Sequence, residues 1–141
     1  MALLSAGSEK SRSFEGKSGP TRVLIAEDDF LVAMQMEETL SAAGLLVVGV
    51  AVTADEAIDL ARREHPILVV MDVRLGGKRD GIDAARELLQ QFNVRCLFST
   101  ANDDPFTRER AEAYAPLGWL TKPYTMASLL AAVAAALAAL E

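Results

Sequence analysis

The sequence predicts a doubly wound α/β fold, a five-stranded parallel sheet with helices on both faces. Three observations predict it. Five short apolar runs alternate strictly with five segments of helical periodicity from Thr21 onward, the pattern of successive strand–helix units. The runs are nearly continuous in apolar residues, as strands covered on both faces are. The chain of 141 residues, 51% hydrophobic and 24% charged, suits one well-filled core, argues against disorder and leaves little room for a second domain.

The elements follow in order. Residues 1–20, "MALLSAGSEKSRSFEGKSGP", show neither helical nor strand periodicity and are expected to form a flexible tail ahead of a domain over residues 21–141. "RVLIAEDD" is an apolar run ending in acid. Asp29 is the expected N-cap of "FLVAMQMEETLSAAG", where Ala33, Met36, Leu40 and Ala43 share one face and Gly44 is the stop. "LLVVGVAV" is the second strand. "TADEAIDLARRE" opens with Thr53 and Glu56 at capping-box spacing and buries Ala57, Leu60 and Ala61.

Pro66 introduces the third strand, "ILVVMD". Asp80 is the expected N-cap of "DGIDAARELLQQF", with Ile82, Ala85, Leu89 and Phe92 as its apolar stripe. "VRCLFST" is the fourth strand. Asp104 and Pro105 form an N-cap and N1 pair opening "DDPFTRERAEAY". "GWLTKP" supplies a short fifth strand. The last helix, "TMASLLAAVAAALAALE", carries Met126, Leu129, Leu130, Val133, Leu137 and Leu140 on a broad stripe, and its further alanines make a small-residue face of the kind that supports a homodimer or partner contact.

Bulk properties exclude several function classes. A net charge of −6 disfavours a nucleic-acid partner held by phosphate neutralisation. Cys96 is the only cysteine, so no internal disulfide forms and a reducing compartment fits. "MALLSAG" is too short for a secretory core, and Met126–Leu140 is too short and alanine-rich to span a bilayer. The expectation is a cytoplasmic protein with no membrane insertion.

In an open parallel sheet, functional groups gather at the C-terminal ends of the strands. Those ends carry Glu27 and Asp28, then Asp72, Thr100 and Lys122. Two carboxylates about 4 Å apart repel by about 4 kcal/mol at an effective dielectric near 20, so three around one pocket require a cation. Oxygen-only ligation suits Mg²⁺ better than zinc, and His65 sits at the opposite end of its strand. A carboxylate can attack phosphorus to form an acyl phosphate, provided cations neutralise the phosphoryl oxygens. Lys122 is placed for that task and the Thr100 hydroxyl can hydrogen-bond the group.

From Val23 to Leu140 the chain resembles the receiver domain of bacterial two-component response regulators. The resemblance rests on "VLIAEDD", "VVMDVRL", "FSTA" and "LTKPY", in order and correctly spaced. It implies a flavodoxin-like strand order of 2-1-3-4-5. It also implies that Asp72 is the phosphoacceptor, with Asp28, Asp72 and the backbone carbonyl of Arg74 ligating Mg²⁺ and Glu27 acting through a metal-bound water. Thr100 matches the switch hydroxyl, Lys122 the phosphate-binding lysine and Trp119 the aromatic switch position. Pro123 stands where the family usually has a cis peptide bond.

Two departures stand out. Gly76 replaces a common proline, and the loop is one residue longer before Gly81. Arg74 and Asn102, each two positions beyond a site residue, occupy places that tune how fast the phosphoryl group is lost.

The implied function is that of a single-domain response regulator. It would take its phosphoryl group from a histidine kinase or histidine phosphotransfer protein and pass the signal to a downstream protein, as a phosphoacceptor rather than a conventional turnover enzyme. The reading expects no output domain after Leu140, with output running through another protein. The alternatives are a degenerate receiver serving as a binding module and an aspartyl-phosphate phosphohydrolase. The hydrolase normally needs a second acid where this chain has Arg74.

Overall fold

The computed structural model describes residues 15–16 and 19–141. Five parallel strands form one sheet: β1 (Arg22–Ala26), β2 (Leu46–Ala51), β3 (Leu68–Asp72), β4 (Arg95–Thr100) and β5 (Gly118–Thr121). Their spatial order is β2-β1-β3-β4-β5, the expected 2-1-3-4-5. The connecting helices are α1 (Phe30–Ala42), α2 (Ala54–Glu64), α3 (Gly81–Phe92), α4 (Pro105–Glu112) and α5 (Met126–Ala139).

Strand alternation sorts the core into two layers. Val23, Ile25, Leu68 and Val70 pack with Met36 and Leu40 of α1 and Leu129 and Val133 of α5. Leu24, Ala26, Val69 and Met71 pack with Ala57 and Ile58 of α2 and Ile82 and Leu88 of α3. Phe98 of β4 is fully buried in this second layer, a burial that contributes about 2–3 kcal/mol.

Each helix starts at a side chain that satisfies free backbone amides. Asp29 accepts from Leu31 and Val32, Thr53 from Glu56, Asp80 from Ile82 and Asp83, Asp104 from Thr107, and Thr125 from Ser128. All but the last had been expected as caps. Gly44, at φ +97°, ends α1 in a conformation that a side chain would strain.

Three local readings are corrected by packing. Glu56 turns its carboxylate to the amide of Val52 rather than to that of Thr53, so the expected capping box on α2 is half formed. Ile58 is buried where Leu60 is only half-buried. On α3, Leu88 is buried, and Leu89 and Phe92 lie half-exposed at the margin. Within the segment expected as a tail, Glu15–Gly16 pairs antiparallel with Gly19–Pro20, which that expectation did not include. The rest of the tail, residues 1–14 and 17–18, lies outside the described residues. Among the described residues no helix is long and apolar enough to cross a membrane.

Candidate functional site

The sheet brings its polar strand ends to one rim. Glu27 follows β1 directly and its amide continues the ladder to Ala51. Asp72 is the last residue of β3 and Thr100 the last of β4. Lys122 follows β5, its amide bonded to the Thr100 carbonyl at 2.8 Å. All five predicted residues, Glu27, Asp28, Asp72, Thr100 and Lys122, line a single cavity of about 700 Å³.

Burial within this rim is uneven. Glu27, Asp72 and Thr100 are buried, whereas Asp28 is open to solvent. A buried carboxylate needs a partner, and Lys122 serves two of them. Its Nζ lies 2.9 Å from Asp72 Oδ2 and 3.2 Å from Glu27 Oε1. The second Asp72 oxygen accepts from the Arg74 amide at 3.1 Å, and Glu27 Oε2 accepts from the Asp29 amide at 3.1 Å.

Titration follows from this crowding. Burial raises the Glu27 carboxyl above its ordinary value, and the Asp72 charge raises it further. The Asp29 amide and the Lys122 ammonium pull it back only in part. For Lys122, burial acts downward, but the hydrogen bond and charge of Asp72 and the charge of Glu27 outweigh it and raise its pKa.

The donor set fits a hard divalent cation. Oxygens of Glu27, Asp28 and Asp72 all lie within 4.8 Å of one another, with no nitrogen or sulfur donor among them. Glu27 and Asp72 share one ammonium, and Asp28 makes no hydrogen bond or ion pair among the described residues. The local carboxylate charge is therefore under-compensated and open to solvent on the Asp28 side, as Mg²⁺ prefers.

Thr100 faces the cavity but its hydroxyl is engaged elsewhere. It donates to the Asn102 carbonyl at 3.1 Å and accepts from the Asn102 amide at 3.0 Å. Arg74 and Asn102 also line the cavity. Trp119, on β5, is half-buried and stacked on Phe98 with ring centroids 4.9 Å apart. On Trp119, the Arg108 guanidinium sits 4.8 Å from the ring centroid. The Lys122–Pro123 bond is cis, as expected.

Close packing ties Asp72 to the next helix. A Cβ on Gly81 would collide with the Asp72 carbonyl oxygen and meet Met71 Cγ at 2.9 Å, so only glycine lets α3 begin here. Asp80, the preceding cap, also receives both terminal nitrogens of Arg110 from α4, at 2.7 and 3.2 Å. Sequence reading identified Asp80 as a cap and missed Arg110. The acid spacing of Asp80 and Asp83 was visible, but the pairing with a residue 30 positions away left no local signal.

Comparison with known proteins places the chain. A model of the response regulator receiver domain matches residues 23–134. The transcriptional regulatory protein PdtaR of Mycobacterium tuberculosis is 39% identical over 114 residues, covering 81% of this chain and 55% of that protein. The phyllosphere-induced regulator PhyR of Methylorubrum extorquens is 37% identical over 119 residues, covering 83% of this chain and 43% of its own. The chain thus spans about half the length of these curated relatives. A crystal structure of the CheX–CheY complex with BeF₃ and Mg²⁺ from Borrelia burgdorferi superposes with TM-score 0.79 at 21% identity, covering 88% of this chain and 95% of that one; it shares the fold.

Proposed function

The chain belongs to the response regulator receiver domain family, and on that premise we propose that it accepts a phosphoryl group on Asp72 from the phosphohistidine of a histidine kinase or phosphotransfer protein. The observation that carries this reading is the single ammonium of Lys122 held within 2.9 Å of Asp72 and 3.2 Å of Glu27. One cation is already aimed at the carboxylate that would become the acyl phosphate.

In the transfer, an Asp72 oxygen attacks phosphorus and forms the O–P bond. The donor's P–N bond breaks and its electron pair returns to the imidazole ring. Glu27, Asp28, Asp72 and the Arg74 carbonyl are the groups that would hold Mg²⁺, Glu27 through a water; bound there, the ion supplies charge neutralisation for the phosphoryl oxygens. Lys122 neutralises the same oxygens from the protein side. Thr100 must give up its two bonds to Asn102 before its hydroxyl can reach the phosphoryl group, and that exchange loosens the loop leading into α4. Trp119, packed between Phe98 and Arg108, is the aromatic group placed to respond.

A protein donor is supported by the surface beside the pocket. Phe30 and Leu31, 73% and 70% exposed, stand on the first turn of α1, next to the cavity-lining Asp29. Adjacent exposed apolar side chains mark contact surfaces. The location that fits this chemistry is the cytoplasm, and the readout is altered binding of a downstream protein.

One assay tests the reading. The protein is incubated with Mg²⁺ and acetyl phosphate and assayed for an acid-stable, alkali-labile adduct. The adduct is expected in the wild type and absent in Asp72→Asn. No adduct would favour a pure binding module, and turnover of phosphomonoesters would favour a hydrolase.

A further inference from the structure

Helix α4 is weakly anchored by apolar packing. Of its eight residues only Ala111 is buried, whereas α3 buries five of its twelve. What holds α4 to the body is largely charge. Arg110 reaches across to α3, where its guanidinium makes two bonds to the Asp80 carboxylate and lies 3.5 Å from Asp83 Oδ1. On the other flank Arg108 pairs with Asp103 at 2.7 Å and covers the Trp119 ring.

Asp80 also immediately precedes Gly81, the residue through which α3 meets Asp72. Its carboxylate caps the Ile82 and Asp83 amides while Asp83 returns a bond to the Asp80 amide at 2.9 Å. The next residue, Gly81, packs against the Asp72 carbonyl and donates its amide to Val73 at 2.7 Å. A continuous run of contacts therefore joins Asp72 to α4 through the α3 cap. It is separate from the route through Thr100 and Trp119.

We propose that the Arg110–Asp80 pair is a latch that holds α4 against the α3 cap in the unphosphorylated protein and opposes the rearrangement that phosphorylation of Asp72 drives. This rests on the phosphoacceptor reading above. The physical reason is the Thr100 hydroxyl. Its bonds to Asn102 must open for it to turn inward, which displaces the Asn102–Asp104 segment at the head of α4. With Arg110 fastened, that displacement either bends the loop against a fixed helix or breaks a bidentate, half-buried ion pair. With Arg110 released, α4 moves with its loop, so the phosphate-bound arrangement costs less and is more populated at rest.

The sign of the effect separates a latch from a simple field. Arg110 lines the same cavity as Asp72, so if it acted only as a nearby positive charge, removing it would weaken binding of an anionic phosphoryl mimic. A latch predicts the reverse.

The test titrates the 141-residue chain with beryllofluoride in saturating Mg²⁺ and reads Trp119 fluorescence, since Trp119 is its only tryptophan. Arg110→Lys keeps the charge but loses the fork geometry, and Asp80→Asn keeps a good N-cap but loses the ion pair. Each is expected to bind the mimic about two- to five-fold more tightly than wild type, the range of a modest ion pair, and Arg110→Ala is expected to bind it more tightly as well. The Asp80→Asn/Arg110→Lys double variant should gain no more than either single one. Unchanged or weaker binding by Arg110→Lys, or fully additive gains in the double variant, would overturn the latch while leaving the phosphoacceptor reading intact. Failure of the wild type to bind the mimic would overturn both.

Discussion

Lys122→Met isolates the charge balance of the pocket, because it keeps a long apolar stem and removes the ammonium. Oxygens of Glu27 and Asp72 lie within 4.8 Å of each other, where two unit charges at an effective dielectric near 20 repel by about 3.5 kcal/mol. In the wild type the ammonium, 2.9 and 3.2 Å from the two carboxylates, offsets this. Without it, part of the repulsion relaxes into solvent through the cavity mouth and part is relieved by protonating Glu27. The expected loss of stability without metal is about 1–3 kcal/mol near neutral pH.

The pH dependence has a definite sign. The Glu27 pKa is already raised in the folded protein, so its stabilising contribution is fully present below its unfolded value and is lost as pH rises through the folded one. The variant lacks the ammonium that restrains this shift, so the folded value climbs further. The deficit is therefore largest above the folded value and shrinks on acidification. Urea denaturation followed by circular dichroism at about pH 7.5 and about pH 5, with and without Mg²⁺, reads this directly. Mg²⁺ should narrow the gap, since it replaces the missing positive charge. A variant as stable as wild type at the higher pH without metal would refute the assignment of Lys122 as the compensating cation.

Three further outcomes follow from neighbouring residues. Gly81→Ala places a methyl against the Asp72 carbonyl and should cost more than about 2 kcal/mol; a thermal melt matching wild type would show that α3 can shift without loss. Burial pushes the Asp80 carboxyl upward, but the Arg110 hydrogen bonds, with the Asp83 amide, outweigh it and hold its pKa below the ordinary value. Its contribution is then present above the unfolded value and lost as pH falls through the folded one. Asp80→Ala should accordingly cost about 1–3 kcal/mol at neutral pH, with the gap closing in acid, and denaturation curves that stay parallel down to acid would contradict this. The Cys96 thiol is pushed up to about 12 by complete burial, so a thiol reagent at neutral pH should label it only after unfolding; prompt labelling of native protein would contradict its burial.

Most of the architecture was legible because its signals are local and redundant. All five helix caps stand in the sequence as Asp or Thr at the head of a helical segment, four of them read as caps and Thr125 passed over, and the strands were nearly unbroken apolar runs. What failed was the choice between neighbours on a helix. Leu88 and Leu89 both sit within reach of a 3.6-residue stripe, and it is Leu88 that packs into the core with Ile82 and Ala85. Glu56 was one bond away from its expected role, because the chain before Thr53 curls so that the Val52 amide comes within 2.8 Å of its carboxylate.

The pocket was legible for a topological reason, since parallel strands deliver their last residues to one edge. The direction of the Thr100 hydroxyl and the grip of Arg110 on Asp80 were not. Both depend on contacts that no periodicity encodes.

Charge counting separates the Arg110 contact from the neutralisation of the site. Glu27, Asp28 and Asp72 against Lys122 leave a formal deficit of two positive charges (three minus one), which one divalent cation closes. Converting the Asp72 carboxylate to an acyl phosphate adds roughly one further negative charge, and the carboxylates and Lys122 hold nothing more to meet it. The remaining cations on the cavity wall are Arg74, Lys78, Arg79 and Arg110. Arg79 is taken by Asp55 at 2.6 Å and Glu87 at 2.7 Å, and Arg110 by Asp80, whereas Arg74 and Lys78 form no ion pair among the described residues. Arg74 and Lys78 are therefore the cations free to meet the added charge, and the demand made on α4 comes through Thr100 and the loop at the head of that helix. On the proposed reading that demand acts through the backbone, and a short helix with one buried side chain has little packing to resist it beyond the Arg110–Asp80 pair.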